Sequence, residues 1–325
     1  MKKALKVITI MLVIVVIGVA GLLVYVKAAL PDVGNPPDIK VELTPERIKR
    51  GEYLANHVTL CVNCHSERDF TIWSGPLVPG TLGKGGEAFT EAEGFPGKFY
   101  ARNISPSHLR SWTDGEIFRA ITTGENKDNK PLFPVMPWEN YSKMDPEDIK
   151  DIIAYIRTLP EQSNEPPVSE ADFPMNFILN TLPHAATGGS RPSPADQLVY
   201  GAYMVNAAGC GICHTKQEKG KIVGEPFSGG FEFSFPDGSI VTSANITPDK
   251  ETGIGAWNEA LFMAKFKQYA DSSYHGSTIK PGQMQTVMPW TMYSGMDSTD
   301  LKAIYAYLST VKPVRNHVTR WKPKD

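Results

Sequence analysis

The four cysteines of this 325-residue chain form two short clusters, each followed directly by a histidine. The clusters read CVNCH and CGICH. Two cysteines three positions apart and then a histidine form the pattern for covalent attachment of c-type heme. The thiols must reach the two vinyl groups on one edge of the porphyrin, while the adjacent imidazole turns onto the iron. The residues concerned are Cys61, Cys64, His65, Cys210, Cys213 and His214.

Three other kinds of site use closely spaced cysteines: a disulfide within each cluster, a thioredoxin-like redox pair, and a zinc site built from four cysteines. A redox pair normally sits in a βαβ setting and does not need the histidine. Zinc would leave one of the two histidines unused. The sequence therefore predicts two covalently attached hemes c.

The clusters belong to two copies of one sequence pattern, with Cys61 and Cys210 lying 149 residues apart. The paired stretches are RGEYLAN and YGAYMVN, ARNISP and SANITP, VMPWENYSKMD and VMPWTMYSGMD, and IAYIRTLP and YAYLSTVKP. The pattern predicts one domain at residues 40–160 and a second at 195–318. Residues 161–194 are rich in proline and read as a linker, apart from the apolar piece FPMNFILNTL, which we expect to pack against a domain.

The repeat also indicates the second axial ligand of each iron. His57, His108, His184, His275 and His317 have no counterpart in the other copy. The methionines shared by both copies form two pairs, Met136 with Met288 and Met144 with Met296.

Met144 and Met296 directly precede the aspartate that caps the last helix, where a hydrophobic staple explains them. Met136 and Met288 are each followed by proline, which disfavours helical backbone at the methionine and places it in an extended loop. We therefore predict Met136 and Met288 as sixth ligands. Packing in the core is the alternative.

Capping signals place the helices. Thr44 before Pro45, Thr113 with Glu116, and Asn258 predict the starts of three helices. In the second copy, Ser193, Pro194 and Asp196 predict a helix start of the same kind as Thr44 and Pro45. The final helices are predicted to begin at Asp145 and Asp297, and a hairpin is predicted in FPDGSIVTSANIT.

The amino terminus predicts a membrane helix within residues 1–30. Val7 to Val26 hold no charge, a length that spans the hydrocarbon core of a bilayer. A cleaved signal peptide is the alternative, but its apolar region is normally shorter. Lys2, Lys3 and Lys6 precede the span and Lys27 alone follows it. This predicts a single-pass anchor in the bacterial inner membrane, with the rest of the chain on the periplasmic side.

The charge balance argues against nucleic acid as a partner. Lys plus Arg number 33 and Asp plus Glu 35. The first 30 residues contain four lysines and no acid, which leaves 29 basic against 35 acidic residues in the remainder. Phosphate binding needs a basic surface.

Each half resembles a class I cytochrome c domain, because helix, attachment motif, Met-Pro loop and final helix follow in that order. The resemblance implies a mainly α fold, with two tandem class I cytochrome c domains after one N-terminal transmembrane helix. It also implies that the first and last helices cross near a glycine and an aromatic residue, here Gly51 or Gly201 against Tyr155 or Tyr307. NITPDKETGIGAW and MPWTMYSGMD resemble the cytochrome subunits of membrane-bound alcohol and sugar-acid dehydrogenases.

Four further residues are candidates for heme contacts. Asn103 and Asn245 are able to donate hydrogen bonds to heme propionates, or to build a turn with the Ser or Thr and Pro that follow. Trp138 and Trp290 are expected to wall the heme pockets, with ordinary core packing as the alternative.

Irons closed by His and Met on both faces have no position for a small-molecule substrate, so the sequence predicts an electron carrier rather than an enzyme. The expected partners are redox proteins, namely a membrane dehydrogenase, a quinol-oxidising complex or a terminal oxidase. The alternatives are a di-heme peroxidase and an integral subunit of a larger oxidase or dehydrogenase complex.

Overall fold

The computed structural model describes residues 1–270 and 276–324, so His275 lies outside the described residues. About 39% of the described residues are helical. Helix α1 spans Lys2–Ala29 and has no residue buried against the rest of the protein. It is long and apolar enough to cross a membrane, a property that signal sequences share.

The later helices form two series, which we call the first half, from Pro45 to Ile156, and the second half, from Gln197 to Leu308. The domain bounds 40–160 and 195–318 stay a prediction. The helices of the first half are α2 (Pro45–Tyr53), α3 (Cys61–Cys64), α4 (Pro106–Leu109), α5 (Asp114–Thr123), α6 (Trp138–Tyr141) and α7 (Pro146–Ile156). After α8 (Met175–Ile178), the second half contains α9 (Gln197–Ala207), α10 (Cys210–Cys213), α11 (Glu259–Lys267), α12 (Trp290–Tyr293) and α13 (Ser298–Leu308). Short 3-10 turns lie at Glu91–Glu93 and Leu179–Thr181.

The first and last helices of each half cross in close contact, α2 with α7 and α9 with α13. A Cβ atom on Gly51 would lie 1.8 Å from the Asp151 carbonyl oxygen and 2.9 Å from Cβ of Tyr155. On Gly201 it would lie 2.9 Å from Cβ of Tyr307. The predicted glycine and tyrosine crossing is therefore confirmed in both halves, because only a hydrogen fits at the contact.

Most predicted helix caps are confirmed. The Thr44 side chain accepts from Arg47 N, and Thr113 and Glu116 form a capping box. The prediction for Ser193 and Pro194 is wrong, since both precede the helix. There Asp196 is the N-cap and accepts from Val199 N. Asp196 N donates to Ser193 O, so the residues predicted to form the first helical turn form a separate turn before the helix.

The caps of the other helices follow the predictions. Asn258 accepts from Leu261 N at the start of α11, and Asp145 accepts from Glu147 N at the start of α7. Asp297 is the N-cap of α13, although its side chain makes no capping hydrogen bond.

A π-helix at Leu54–Val58 joins α2 to the first cysteine cluster. Gly51 and Cys61 are ten residues apart, whereas Gly201 and Cys210 are nine apart. A π-turn absorbs one extra residue without breaking the helix, so both clusters keep the same position after the helix crossing.

The strands are two to four residues long in the described part of the chain. They are β1 (Ala88–Phe89), β2 (Gly97–Tyr100), β3 (Glu170–Ala171), β4 (Gln217–Glu218), β5 (Lys221–Ile222), β6 (Glu232–Ser234), β7 (Ile240–Thr242) and β8 (Trp321–Lys322). The predicted hairpin in the second half is confirmed as β6 with β7.

Each half receives an edge strand from the chain that follows its last helix. Strand β3, from the Pro-rich segment, pairs antiparallel with β2, and β8 pairs antiparallel with β7. Residues 161–194 are therefore folded against the first half over part of their length rather than extended as a free connection.

The two halves share one hydrophobic core and exchange polar contacts. The Tyr53 hydroxyl donates to Asp300 and accepts from Asp297 N, so it reaches the start of α13. Correspondingly, the Tyr203 hydroxyl donates to Asp148 at 2.6 Å in α7. Helix α12 packs on the π-helix, and α6 packs on α9.

Candidate cofactor sites

The cysteine clusters occupy the short helices α3 and α10. Leu60 and Gly209, the residues before them, both have left-handed backbone, with φ of 55° and 64°. This conformation ends the preceding helix and starts a new turn at the first cysteine. Residues three apart in one helical turn lie on the same side, so each pair of thiols is presented together.

The four thiols are free and partly covered. Desolvation raises the pKa of Cys213 to about 11 and the pKa of Cys64 and Cys210 to about 12. Desolvation likewise raises the pKa of Cys61. Redox-active cysteines have lowered pKa values instead, so these thiols do not suit a thioredoxin-like pair.

The histidine of each cluster is held by a main-chain carbonyl. His65 Nδ1 lies 2.6 Å from Arg102 O, and His214 Nδ1 lies 2.8 Å from Ala244 O. Since a carbonyl oxygen only accepts, Nδ1 carries the proton and Nε2 keeps its lone pair. Desolvation lowers the pKa of both rings, which favours the neutral form. A neutral imidazole oriented in this way is the form that binds iron.

Sequence reasoning missed these two carbonyls, although a signal was present. Arg102 and Ala244 are the second residues of the paired stretches ARNISP and SANITP. The motif occurs in both copies in part because the main-chain carbonyl of its second residue orients the histidine of the cysteine cluster. The side chain at this position differs between the copies, arginine in the first and alanine in the second.

The next residue of the motif, Asn103, has its side-chain amide fully engaged. Its Nδ2 donates to Gln162 O and Asn164 O, both at 2.8 Å. Its Oδ1 accepts from the amide and the hydroxyl of Ser105. Asn103 thus ties the loop to the chain beyond α7.

Asn245 makes the equivalent bonds in the second half. Its Nδ2 donates to Val314 O at 2.7 Å and to Thr252 Oγ1 at 2.9 Å. Its Oδ1 accepts from the amide and hydroxyl of Thr247. Because both amide hydrogens of each asparagine are already donated, the observed bonds favour the turn interpretation over propionate binding.

The two shared pairs of methionines occupy different surroundings. Met144 and Met296 are each 1% exposed and lie in the core. Met136 and Met288 are half-buried at the edge of that core, as are Cys61 and Cys210. The thioethers of Met136 and Met288 are therefore not enclosed in the core. This is consistent with the assignment of both as iron ligands, which stays a prediction.

The tryptophan after each Met-Pro pair is enclosed to a different degree. Trp138 is fully buried, and its ring lies against Gly124, where a Cβ would come within 2.5 Å. Its Nε1 is buried and has no hydrogen-bond partner within residues 1–270 and 276–324. Trp290 is half-buried and lies against Phe266, with 5.2 Å between ring centroids.

These observations test whether a heme c fits. Each half offers two thiols, an imidazole Nε2 and a thioether, which is the donor set of a His/Met heme c. The unpartnered Trp138 N–H suits an acceptor supplied by a bound group. No group of three or more His, Cys, Asp or Glu side chains arranged for a metal ion is found in the described residues.

Three of the histidines that have no counterpart in the other copy contact other residues of the protein. His57 Nδ1 lies 2.8 Å from Met292 O, across the contact between halves. His108 lies 3.8 Å from Glu165, and the His184 ring stands edge-on to Trp138. That these histidines are not iron ligands stays a prediction.

No family model matches the chain. It is 24% identical over 282 residues to "Alcohol dehydrogenase (quinone), cytochrome c subunit" of Gluconobacter oxydans, covering 82% of this chain and 55% of the relative. It is 35% identical over 140 residues to "Gluconate 2-dehydrogenase cytochrome c subunit" of Pantoea cypripedii, covering 42% and 28%. The chain thus spans about half or less of the length of these relatives.

A third relative is matched over nearly its whole length. The chain is 28% identical over 294 residues to "Diheme cytochrome c-type" of Cereibacter sphaeroides, covering 87% of this chain and 91% of the relative. The chain is therefore similar to cytochrome c subunits of dehydrogenases and to a diheme c-type cytochrome, which implies covalently bound heme c.

Proposed function

We propose that this chain is a di-heme electron-transfer cytochrome c. It is anchored in the inner membrane by α1, has its two halves on the periplasmic side, and passes electrons from a membrane dehydrogenase or quinol-oxidising complex to a terminal acceptor. The observation that carries the proposal is the duplicated donor set, in which each histidine is oriented by a carbonyl at 2.6 or 2.8 Å.

The residues that would hold each heme are those of the two clusters and the Met-Pro loops. The first set is Cys61, Cys64, His65 and Met136, and the second is Cys210, Cys213, His214 and Met288. When bound, heme c supplies one-electron Fe(II)/Fe(III) chemistry at potentials that methionine ligation and a dry pocket raise. Ligation of both iron faces by His and Met would leave no place for a substrate, so no catalytic residue is assigned.

The polypeptide contributes orientation and exclusion of water. The Arg102 and Ala244 carbonyls fix the histidine rings, and the Met-Pro loops hold the thioethers beside a shared apolar core. A low-dielectric setting disfavours the added positive charge of Fe(III) and so favours the reduced state.

Heme content tests the attachment. The double variant Cys61→Ala with Cys64→Ala should carry one heme per chain instead of two, measured by the pyridine hemochrome spectrum against protein mass. Cys210→Ala with Cys213→Ala is the matched variant and should also carry one. Two hemes in either variant would contradict the assignment of that cluster.

Carbon monoxide separates the carrier from a di-heme peroxidase. A reduced, undenatured carrier with both iron faces closed should bind carbon monoxide slowly. A peroxidase needs a heme open to peroxide, so rapid binding at either heme would refute the closed sites.

A second candidate, an integral subunit of a larger complex, is favoured by the names of two relatives, which are dehydrogenase subunits. Detergent extraction followed by size separation distinguishes the two roles. A free shuttle should migrate alone, whereas a subunit should migrate with its dehydrogenase or oxidase.

A further inference from the structure

The segment Phe173–Thr181 lies at the carboxyl end of α1. Lys27 Nζ donates to Asn176 O at 2.7 Å and stands 5.0 Å from the centroid of the Phe177 ring. Helix α1 also contacts the 3-10 turn Leu179–Thr181. The apolar piece predicted to pack against a domain contacts α1 and, through α8, strand β3, which pairs with the first half.

This segment exposes apolar side chains. Phe173 is 77% exposed and Ile178 is 42% exposed. The Phe173 ring meets Phe177 edge-on, with 6.2 Å between centroids. From Phe173 to Leu182 the sequence contains no charged residue. Exposure of aromatic and aliphatic side chains to water is unfavourable in free energy relative to their burial.

The position of Lys27 sets the depth of the segment. Val7 to Val26 fill the uncharged part of α1, so a membrane-spanning α1 places Lys27 at the boundary between hydrocarbon and headgroups. Groups that touch Lys27 lie at the same level. Apolar and aromatic side chains at that level bury themselves at the boundary of headgroups and acyl chains.

We propose that Phe173–Thr181 rests on the bilayer surface beside α1 and forms a second, interfacial contact with the membrane. The proposal depends on the anchoring by α1 proposed above. Strand β3 lies just before this segment in the chain and pairs with β2 of the first half. Two attachment points, α1 and this segment, restrict how the first half tilts on the membrane, and so orient its heme site towards membrane partners.

Photo-crosslinking tests this contact in the full-length chain. The protein carries p-benzoylphenylalanine in place of Phe173 and is reconstituted into phosphatidylcholine and phosphatidylglycerol liposomes. The matched control carries it in place of Ile222, which is 69% exposed on β5 of the second half. We expect lipid adducts from position 173 and none from position 222, measured by mass spectrometry after irradiation.

Carbonate extraction of the same liposomes separates the two proposals. A chain that resists extraction but gives no lipid adduct at position 173, or equal adducts at both positions, overturns the interfacial contact while α1 remains an anchor. A chain that carbonate releases, or whose residues 1–30 are absent by mass, overturns the anchor and the interfacial contact together. Adducts from position 173 to protein instead of lipid also overturn the contact.

Discussion

Ser74 of the first half holds the Met288 loop of the second. It is fully buried, and its Oγ donates to Met288 O at 2.7 Å and accepts from Trp290 N at 2.9 Å. Its own N–H donates to Gln285 Oε1 at 2.9 Å. One hydroxyl thus bonds the backbone on both sides of Pro289, next to the predicted ligand.

Ser74→Ala removes both hydroxyl bonds but leaves each loop group with a partner, because Trp290 N also donates to Met288 O at 2.9 Å. The loss is therefore that of two net hydrogen bonds, about 1–3 kcal/mol in total. The left-handed backbone of Ser74, with φ of 69°, adds little, since serine and alanine both carry a Cβ. The equilibrium for local opening of the Met288 loop should rise about 5- to 150-fold.

Stopped-flow binding of carbon monoxide to the reduced protein measures this opening, since carbon monoxide would reach an iron ligated by Met288 only when the methionine leaves. We expect the rate to rise by the same factor for half of the heme and to stay unchanged for the other half. Ser294→Ala is the matched control, because that buried hydroxyl donates locally to Thr291 O, and it should retain the original rate. Equal acceleration at both hemes, or an unchanged rate with lower overall stability, would refute the reasoning.

Three further changes test other parts of the structure. Met288→Ala should lower the potential of one heme and abolish its weak methionine-to-iron absorption band, whereas Met296→Ala should keep the band and lower stability by about 2–5 kcal/mol; the reverse pattern would show that the ligand is misassigned. Gly201→Ala places a methyl 2.0 Å from a facing carbonyl oxygen and should destabilise by about 1–3 kcal/mol or more in chemical denaturation; an unchanged midpoint would contradict the close crossing. Tyr53→Phe leaves the buried Asp300 with one donor fewer and should cost about 1–3 kcal/mol in the same assay; no loss would mean that this contact does not join the halves.

Much of the candidate site could be predicted from the sequence, because the signals involved act over short distances along the chain. The attachment motif, the proline after Met136 and Met288, and the helix caps at Thr44 and Thr113 act on residues within a few positions of themselves. Their physical consequences, a helical turn or an excluded backbone conformation, do not depend on the rest of the fold. Comparison of the two copies left Met288 and Met296 as candidates, and the proline after Met288 favoured it as the ligand. In the structure, only Met296 of the two is buried in the core.

One helix start was predicted wrongly, and one asparagine was left with two interpretations, because local signals competed. Pro194 suits the first turn of a helix as well as a turn before it, and only the position of α9 against α13 places the helix start at Gln197. For Asn103 the sequence left two interpretations open, a propionate contact and a turn. Folding of the chain beyond α7 supplies carbonyls to both of its amide hydrogens, which the sequence does not show.

The sequence by itself determined the two cysteine and histidine clusters, the duplicated halves and the apolar amino-terminal helix. Only the tertiary structure decided how the halves meet: Tyr53 on Asp300, Ser74 on Met288, and the segment Phe173–Thr181 on α1. These contacts join residues roughly 150 to 250 positions apart. A hydroxyl or an exposed phenylalanine gives no sign along the chain of the distant group it will meet, because that partner is set by the packing of whole helices.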